Sequence, residues 1–279
     1  MTIPQEPSAA RKLRLYSLYL EARETLPLGG GFITYNWDPL PDRLGGLWLP
    51  YGQMLEDFAR ELANVINDLV NNVHRLETWS AIMPTLDPHD TMEAAHEFVN
   101  VLGAAAMGLP YVIKSRLAFA AGQLSHQANM ARDIDGWTDD FPDQGALYLH
   151  HIHTTCAGWS RFKAFNKAVD ALGGKAFKTG TGDFRNAYNH RFPRRLVQGI
   201  TSFVERRTDP ETGRPVYQIG GFAPLSLTTV ADLLARERDL AAVAFEEFQA
   251  LVGEHIEAIV AFERTRNGAA ADEAADVGP

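Results

Sequence analysis

Residues 180–193 read Gly-Thr-Gly-Asp-Phe-Arg-Asn-Ala-Tyr-Asn-His-Arg-Phe-Pro, a stretch that gathers side chains able to handle a phosphodiester. Two glycines followed by Asp183 predict a helix start with Asp183 as N-cap, and Pro193 limits its continuation, leaving about two exposed turns. With Phe184 at zero and about 100° per residue, Arg185, Asn186, Asn189 and His190 fall between about 100° and 240°, opposite Phe184, Ala187 and Tyr188. Histidine, whose ordinary pKa lies near neutrality, can take a proton from a ribose 2′-hydroxyl or give one to a leaving 5′-oxygen, a role worth about 10²–10⁴ in rate. Arg185 offers a fixed donor fork for the charge that builds on phosphorus in the transition state, and Asn186 can orient either group.

On a regular helix Arg185 and His190 point about 140° apart, so one copy does not aim both at a single phosphate. Two copies meeting across a two-fold axis would interleave these side chains in one cleft, which predicts a homodimer. The run Arg185-Asn186-Ala187-Tyr188-Asn189-His190 resembles the signature of the HEPN superfamily: an Arg, a polar residue that is often Asn, and a His four to six residues beyond the Arg. The resemblance implies an all-helical, usually dimeric domain. Many members of that family are metal-independent endoribonucleases in toxin–antitoxin, abortive-infection and other defence systems. Carried onto this chain, it implies Arg185, His190 and Asn186 as catalytic residues, no metal or other cofactor, a cyclic-phosphate product and resistant DNA. Some members carry a Tyr two residues after the His that accepts nucleotidyl groups from an antitoxin. Phe192 stands there, so that regulation is not carried over.

The chain as a whole has a formal charge of −9, which excludes broad coating of a polyanion. The charge is unevenly spread. Residues 175–214 hold nine Lys and Arg against four Asp and Glu, a balance of +5, and the remaining chain is therefore −14. A focused cationic segment around one polar helix predicts RNA as the partner, with Asn189, Arg191, Arg194, Arg195 and Tyr188 as substrate-binding residues. An antitoxin or other protein partner is compatible with the same surface. The alternative reading is a non-catalytic HEPN-like module in which this surface binds RNA, a nucleotide or a protein.

A third reading, a metal-binding helical bundle, rests on His150, His153 and Cys156 at successive spacings of three. Structural zinc sites usually pair ligands from two elements, and the chain has a single cysteine, so no metal is assigned. Glu93 and His96 match half of a di-iron motif that needs a second copy. The acidic run Asp133, Asp135, Asp139, Asp140 and Asp143 does not have calcium-loop spacing and reads as a solvated loop. His255 lies on an apolar stripe and reads as a core histidine. His74, toward the end of its helix, is able to approach any of these sites as far as the sequence shows, and Trp159 reads as packing before base stacking.

The elements that must carry these residues are helical. Leu55, Phe58, Leu62, Val65, Ile66, Leu69, Val73 and Leu76 recur by threes and fours and predict a helix over about 52–80. A similar stripe from Leu233 to Phe262, opened by Ser226 or Thr228, predicts a second over about 228–265. Further helices are placed at about 90–107, 110–134 and 158–172, the last stopped by Gly173-Gly174. β-prone runs on either side of Asp209-Pro-Glu-Thr-Gly predict a hairpin insertion over 198–221. The expected architecture is all-α: an antiparallel helical bundle with a small β-hairpin insertion, forming one elaborated domain over 1–267. Residues 25–50 read as an ordered loop and 268–279 as a disordered tail. With 46% apolar residues, one cysteine, a charged N-terminus and a longest apolar run (Val101–Ile113) too short to span a bilayer, the expectation is a cytoplasmic protein with no membrane partner.

Overall fold

The computed structural model describes residues 6–35, 37, 44–142 and 149–276. The fold is all-α with one two-stranded antiparallel hairpin. The α-helices are α1 (Ser8–Thr25), α2 (Leu49–Ile82), α3 (Pro88–Ala94), α4 (Asn100–Asn129), α5 (Leu149–Cys156), α6 (Phe162–Ala171), α7 (Lys175–Gly180), α8 (Phe184–His190) and α9 (Leu227–Asp276), with β1 (Val204–Thr208) and β2 (Pro215–Ile219) between α8 and α9. The chain divides into two compact units, 1–31, 67–110 and 173–239 in the first, 32–66, 111–172 and 240–279 in the second.

In the first unit α1 carries no signal in the sequence pattern, because apolar residues lie around most of its circumference and leave no clear stripe. Leu15 and Tyr19, one turn apart, face inward. Tyr19 stacks on Trp79 of α2 at 5.0 Å between ring centroids, and Trp79 stacks on Phe98 at 5.1 Å. Phe98 belongs to a π-helical turn, Ala95–Val99, that joins α3 to α4. Asp87 caps α3 by accepting the backbone N–H groups of His89 and Asp90, both at 2.8 Å. Arg14 of α1 then grips Asp90 with two hydrogen bonds of 2.9 Å.

Pro110 sits inside α4, where the sequence places a break between two helices. The proline removes one backbone donor, yet helix on both sides buries Ala106 and Met107 before it and Ile113 and Leu117 after it, which outweighs the lost bond. The uninterrupted helical run 88–129 is long and apolar enough to cross a membrane by length and composition, with 44% of its apolar window buried inside the protein. α9 likewise runs on to Asp276, past residue 268 where the sequence suggests a disordered tail. Part of the 25–50 loop, residues 36 and 38–43, lies outside the described residues; Gly46–Trp48 form a single 3₁₀ turn leading into α2.

The second unit packs Trp48, Phe165, Phe245 and Phe248 in its core. Trp48 donates its indole N–H to Glu263 at 2.9 Å. The segment expected as one helix over 158–172 is shorter, α6, and its start is organised from α9: Glu254 accepts the backbone N–H groups of Ser160 at 2.8 Å and Arg161 at 2.9 Å. Partial burial pushes the Glu254 carboxyl up, but these two donors outweigh it and its pKa lies below the ordinary glutamate value. A carboxylate with a lowered folded pKa stabilises the fold above its unfolded pKa and loses that contribution as pH falls through the folded one. Glu254→Gln is therefore expected to cost about 1 kcal/mol at neutral pH, discounted for solvent screening, and progressively less below pH 4.5. Urea unfolding of both proteins across that range measures it.

Candidate functional site

The site is built in the first unit on the connection from α7 to the hairpin. Leu172 leaves α6 extended, Gly173 turns with φ +61°, and the buried Glu237 of α9 accepts the Gly173 N–H at 2.8 Å. α7 follows, held by buried Phe177, whose carbonyl accepts the Thr181 hydroxyl at 2.8 Å. Gly182 and Asp183 are both left-handed, and this reversal launches α8.

α8 buries Phe184 and Ala187 and exposes Arg185, Asn186, Asn189 and His190, as the helical phase predicts. Tyr188 departs from the prediction: it stacks on Phe184 at 5.4 Å but is 61% exposed. Asp183 precedes the helix without capping it. Its left-handed backbone, φ 52° and ψ 47°, turns the carboxylate away from the first helical N–H groups, where a capping residue is normally extended. The carboxylate instead accepts the Asn186 side-chain N–H at 2.9 Å. Asn186 is thus oriented by Asp183. His190 ends the helix, and Arg191 after it is extended and exposed.

Arg194 is the residue whose expected role changes. Its guanidinium donates to the Ala223 carbonyl from Nε at 2.9 Å and from Nη2 at 2.7 Å, and lies 6.0 Å from the Phe222 ring centre. A Cβ placed on Gly182 would lie 3.0 Å from Arg194 Cδ. Arg194 therefore passes beside the entry of α8 and spends its Nε and Nη2 donors on the segment that follows the hairpin. Arg194→Ala is expected to cost about 1 kcal/mol of stability and change RNA affinity less than about twofold, which thermal unfolding and RNA titration distinguish. Arg195 keeps its guanidinium exposed while its backbone pairs with Leu225 and Thr201.

The hairpin adds exposed apolar and aromatic groups to the cations counted in 175–214. β1 and β2 pair with Arg206 opposite Tyr217, Val204 opposite Ile219 and Arg207 opposite Val216. Tyr217, Ile219 and Val204 are 72%, 70% and 54% exposed. β2 is exposed on both faces, with Val216 on the opposite one 40% exposed. The hairpin turn needs a left-handed residue at Gly213, φ +67°. Gly221 is left-handed too, and a Cβ there would approach the Thr201 carbonyl oxygen to 3.0 Å.

The other clusters separate. His150 and His153 are exposed on α5, whereas Cys156 is buried and donates its S–H to Ser125 at 3.3 Å, so the three do not converge. Among the described residues no group of three or more His, Cys, Asp or Glu is placed to hold a metal ion. His74 is buried, with Nε2 3.0 Å from the Leu26 carbonyl oxygen. Glu93 faces Lys12, and Asp139 pairs with His126. His255 is a satisfied core histidine, as its position on the apolar stripe predicts: Tyr51 hydroxyl lies 3.3 Å from Nδ1 and Ser125 hydroxyl 3.2 Å from Nε2. Trp159 packs edge-on to that imidazole at 4.4 Å, in the core and away from solvent. The chain matches no family model, no curated protein and no solved structure.

Proposed function

We propose that this chain is a metal-independent endoribonuclease of HEPN type, acting on RNA as a cytoplasmic homodimer. The observation that carries the reading is the exposed polar side of α8, on which Arg185, Asn189 and His190 all reach solvent, followed by exposed Arg191 and Arg195. His190 moves the proton to or from the 2′-hydroxyl and the leaving 5′-oxygen, while Arg185 holds the phosphorane charge. Asn186, already bonded to Asp183, positions the start of the helix. Tyr188 offers a ring face for a base.

A second reading, a non-catalytic RNA-binding module, is favoured by one observation: α8 is seven residues long and His190 is its last, so Arg185 and His190 diverge within one copy. Incubation with single-stranded RNA in chelator separates the two. Cleavage leaving a 2′,3′-cyclic phosphate, and its loss when a 2′-deoxy nucleotide replaces the one before the cut, is the expected result. Binding without cleavage selects the second reading. Absence of both overturns RNA as the ligand.

A further inference from the structure

We propose that the Arg206–Tyr217 face of the β1–β2 hairpin is a docking platform for single-stranded RNA, stacking bases on Tyr217 and neutralising phosphate with Arg206. The proposal rests on the reading of α8 as an RNA site and assigns its substrate class. In an antiparallel pair directly opposed residues share a face, so Val204, Arg206, Tyr217 and Ile219 lie on one side and Glu205, Arg207, Val216 and Gln218 on the other.

The two faces have different fates. On the second, Arg207 pairs with Glu205 at 2.8 Å and lies 5.8 Å from the Phe222 ring centre, so its cation is internally compensated. On the first, Arg206 has no ion pair among the described residues, and Tyr217, Ile219 and Val204 are the most exposed apolar groups of the strands. A two-stranded ribbon exposed throughout residues 211–220 contributes little core of its own. An aromatic ring beside an uncompensated arginine on such a ribbon has the composition of a stacking platform for unpaired bases.

Charge complementarity selects the occupant. β1 and the turn lie in the +5 segment 175–214, β2 just beyond it carries no charged residue, and the rest of the chain is at −14, so the hairpin favours a polyanion. Bases locked in a duplex are already stacked on one another, so the ring selects single strands. The platform is also anchored to the chemistry. Arg194, four residues beyond α8, bonds the Ala223 carbonyl just beyond β2 while its side chain passes close to Gly182, so the chain leaving the hairpin is held beside the segment that carries Arg185 and His190.

The test is fluorescence anisotropy of a short labelled single-stranded RNA, and of the same sequence as a duplex, in chelator. The proteins are the parent, Tyr217→Ala, Tyr217→Phe and Arg206→Ala, each in a His190→Ala background that prevents cleavage. Tyr217→Ala is expected to weaken single-strand binding about tenfold and duplex binding less than about twofold, with Tyr217→Phe near the parent. Arg206→Ala should weaken binding across sequences and lower the slope of log affinity against log salt by about 1. Both residues are exposed, so unchanged thermal unfolding accompanies these losses. Parent-like single-strand affinity in Tyr217→Ala overturns the platform and leaves the α8 reading standing. So does sedimentation in which the hairpin variants lose only self-association, the result a protein-docking face gives. A parent that binds no RNA overturns the α8 reading and the platform together.

Discussion

If the chain is the proposed ribonuclease, alanine at His190 is expected to lower the rate of RNA cleavage by a factor of about 10²–10⁴, and alanine at Arg185 by about 10²–10³, with little change in thermal stability. Both side chains leave the exposed side of α8, while the helix is held by buried Phe184 and Ala187, so truncation removes chemistry and spares packing. The His190 effect is the loss of the proton carrier. The Arg185 effect is the loss of charge stabilisation that strengthens as the phosphorane forms, so it appears in kcat more than in KM. Because the two residues diverge on a seven-residue helix, the proposed homodimer is expected to take Arg185 from one copy and His190 from its partner. Mixing Arg185→Ala with His190→Ala then rebuilds one intact centre per mixed dimer and restores activity that neither variant has alone. If the mixture stays inactive, the centre is not composite; if either single variant cleaves undiminished, the pair is not catalytic.

Removing His255 produces the largest expected change in stability. His255 is fully buried between Tyr51 and Ser125, and a neutral imidazole, one nitrogen donating and the other accepting, satisfies both hydroxyls. Alanine leaves a cavity and an unpartnered Tyr51 hydroxyl in a core where Trp159 Nε1 already has no hydrogen-bond partner among the described residues. The expected cost is about 3 kcal/mol, read by urea unfolding. Burial also pushes the His255 pKa down from 6.5 to about 3. The unfolded chain thus binds a proton that the folded one does not, and stability rises with pH between about 3 and 6.5 and is level in this respect above it. The slope reaches about 1.4 kcal/mol per pH unit within that window. His255→Ala should flatten it; an undiminished slope in the variant assigns the acid sensitivity to other groups.

The long helices were legible because each has a continuous apolar stripe: Leu55 to Leu76 in α2 and Leu233 to Phe262 in α9 dictate one buried side whatever packs against it. α1 was not, since Leu13, Tyr16 and Leu20 are exposed and Leu15 and Tyr19 buried, a distinction set by the stacking of Tyr19 on Trp79 and invisible in hydropathy. Pro110 read as a break because local backbone chemistry argues for one and only tertiary burial argues against it. At the site, the phase of Arg185, Asn186, Asn189 and His190 followed from helix geometry alone. The Asp183–Asn186 bond did not, because it depends on a left-handed backbone that Asp adopts here and ordinarily avoids. Arg194 looked like its neighbours Arg191 and Arg195 in sequence; its carbonyl partner, Ala223, lies 29 residues away.

The one cysteine of the chain lies in the second unit, whereas the α8 surface and the hairpin lie in the first. Cys156 is buried against Ser125 and the Ala121 carbonyl, and burial raises its pKa to about 11, so the folded thiol is inert to alkylating reagents. Every molecule therefore carries one native chemical clock. The rate at which it is labelled reports how often its surroundings open, and serves as a control for any change made at the proposed RNA surface. Variants of Tyr217, Arg206 or His190 that lose RNA with an unchanged labelling rate have lost function alone, and faster labelling in His255→Ala would register the loosened core directly, without a denaturant.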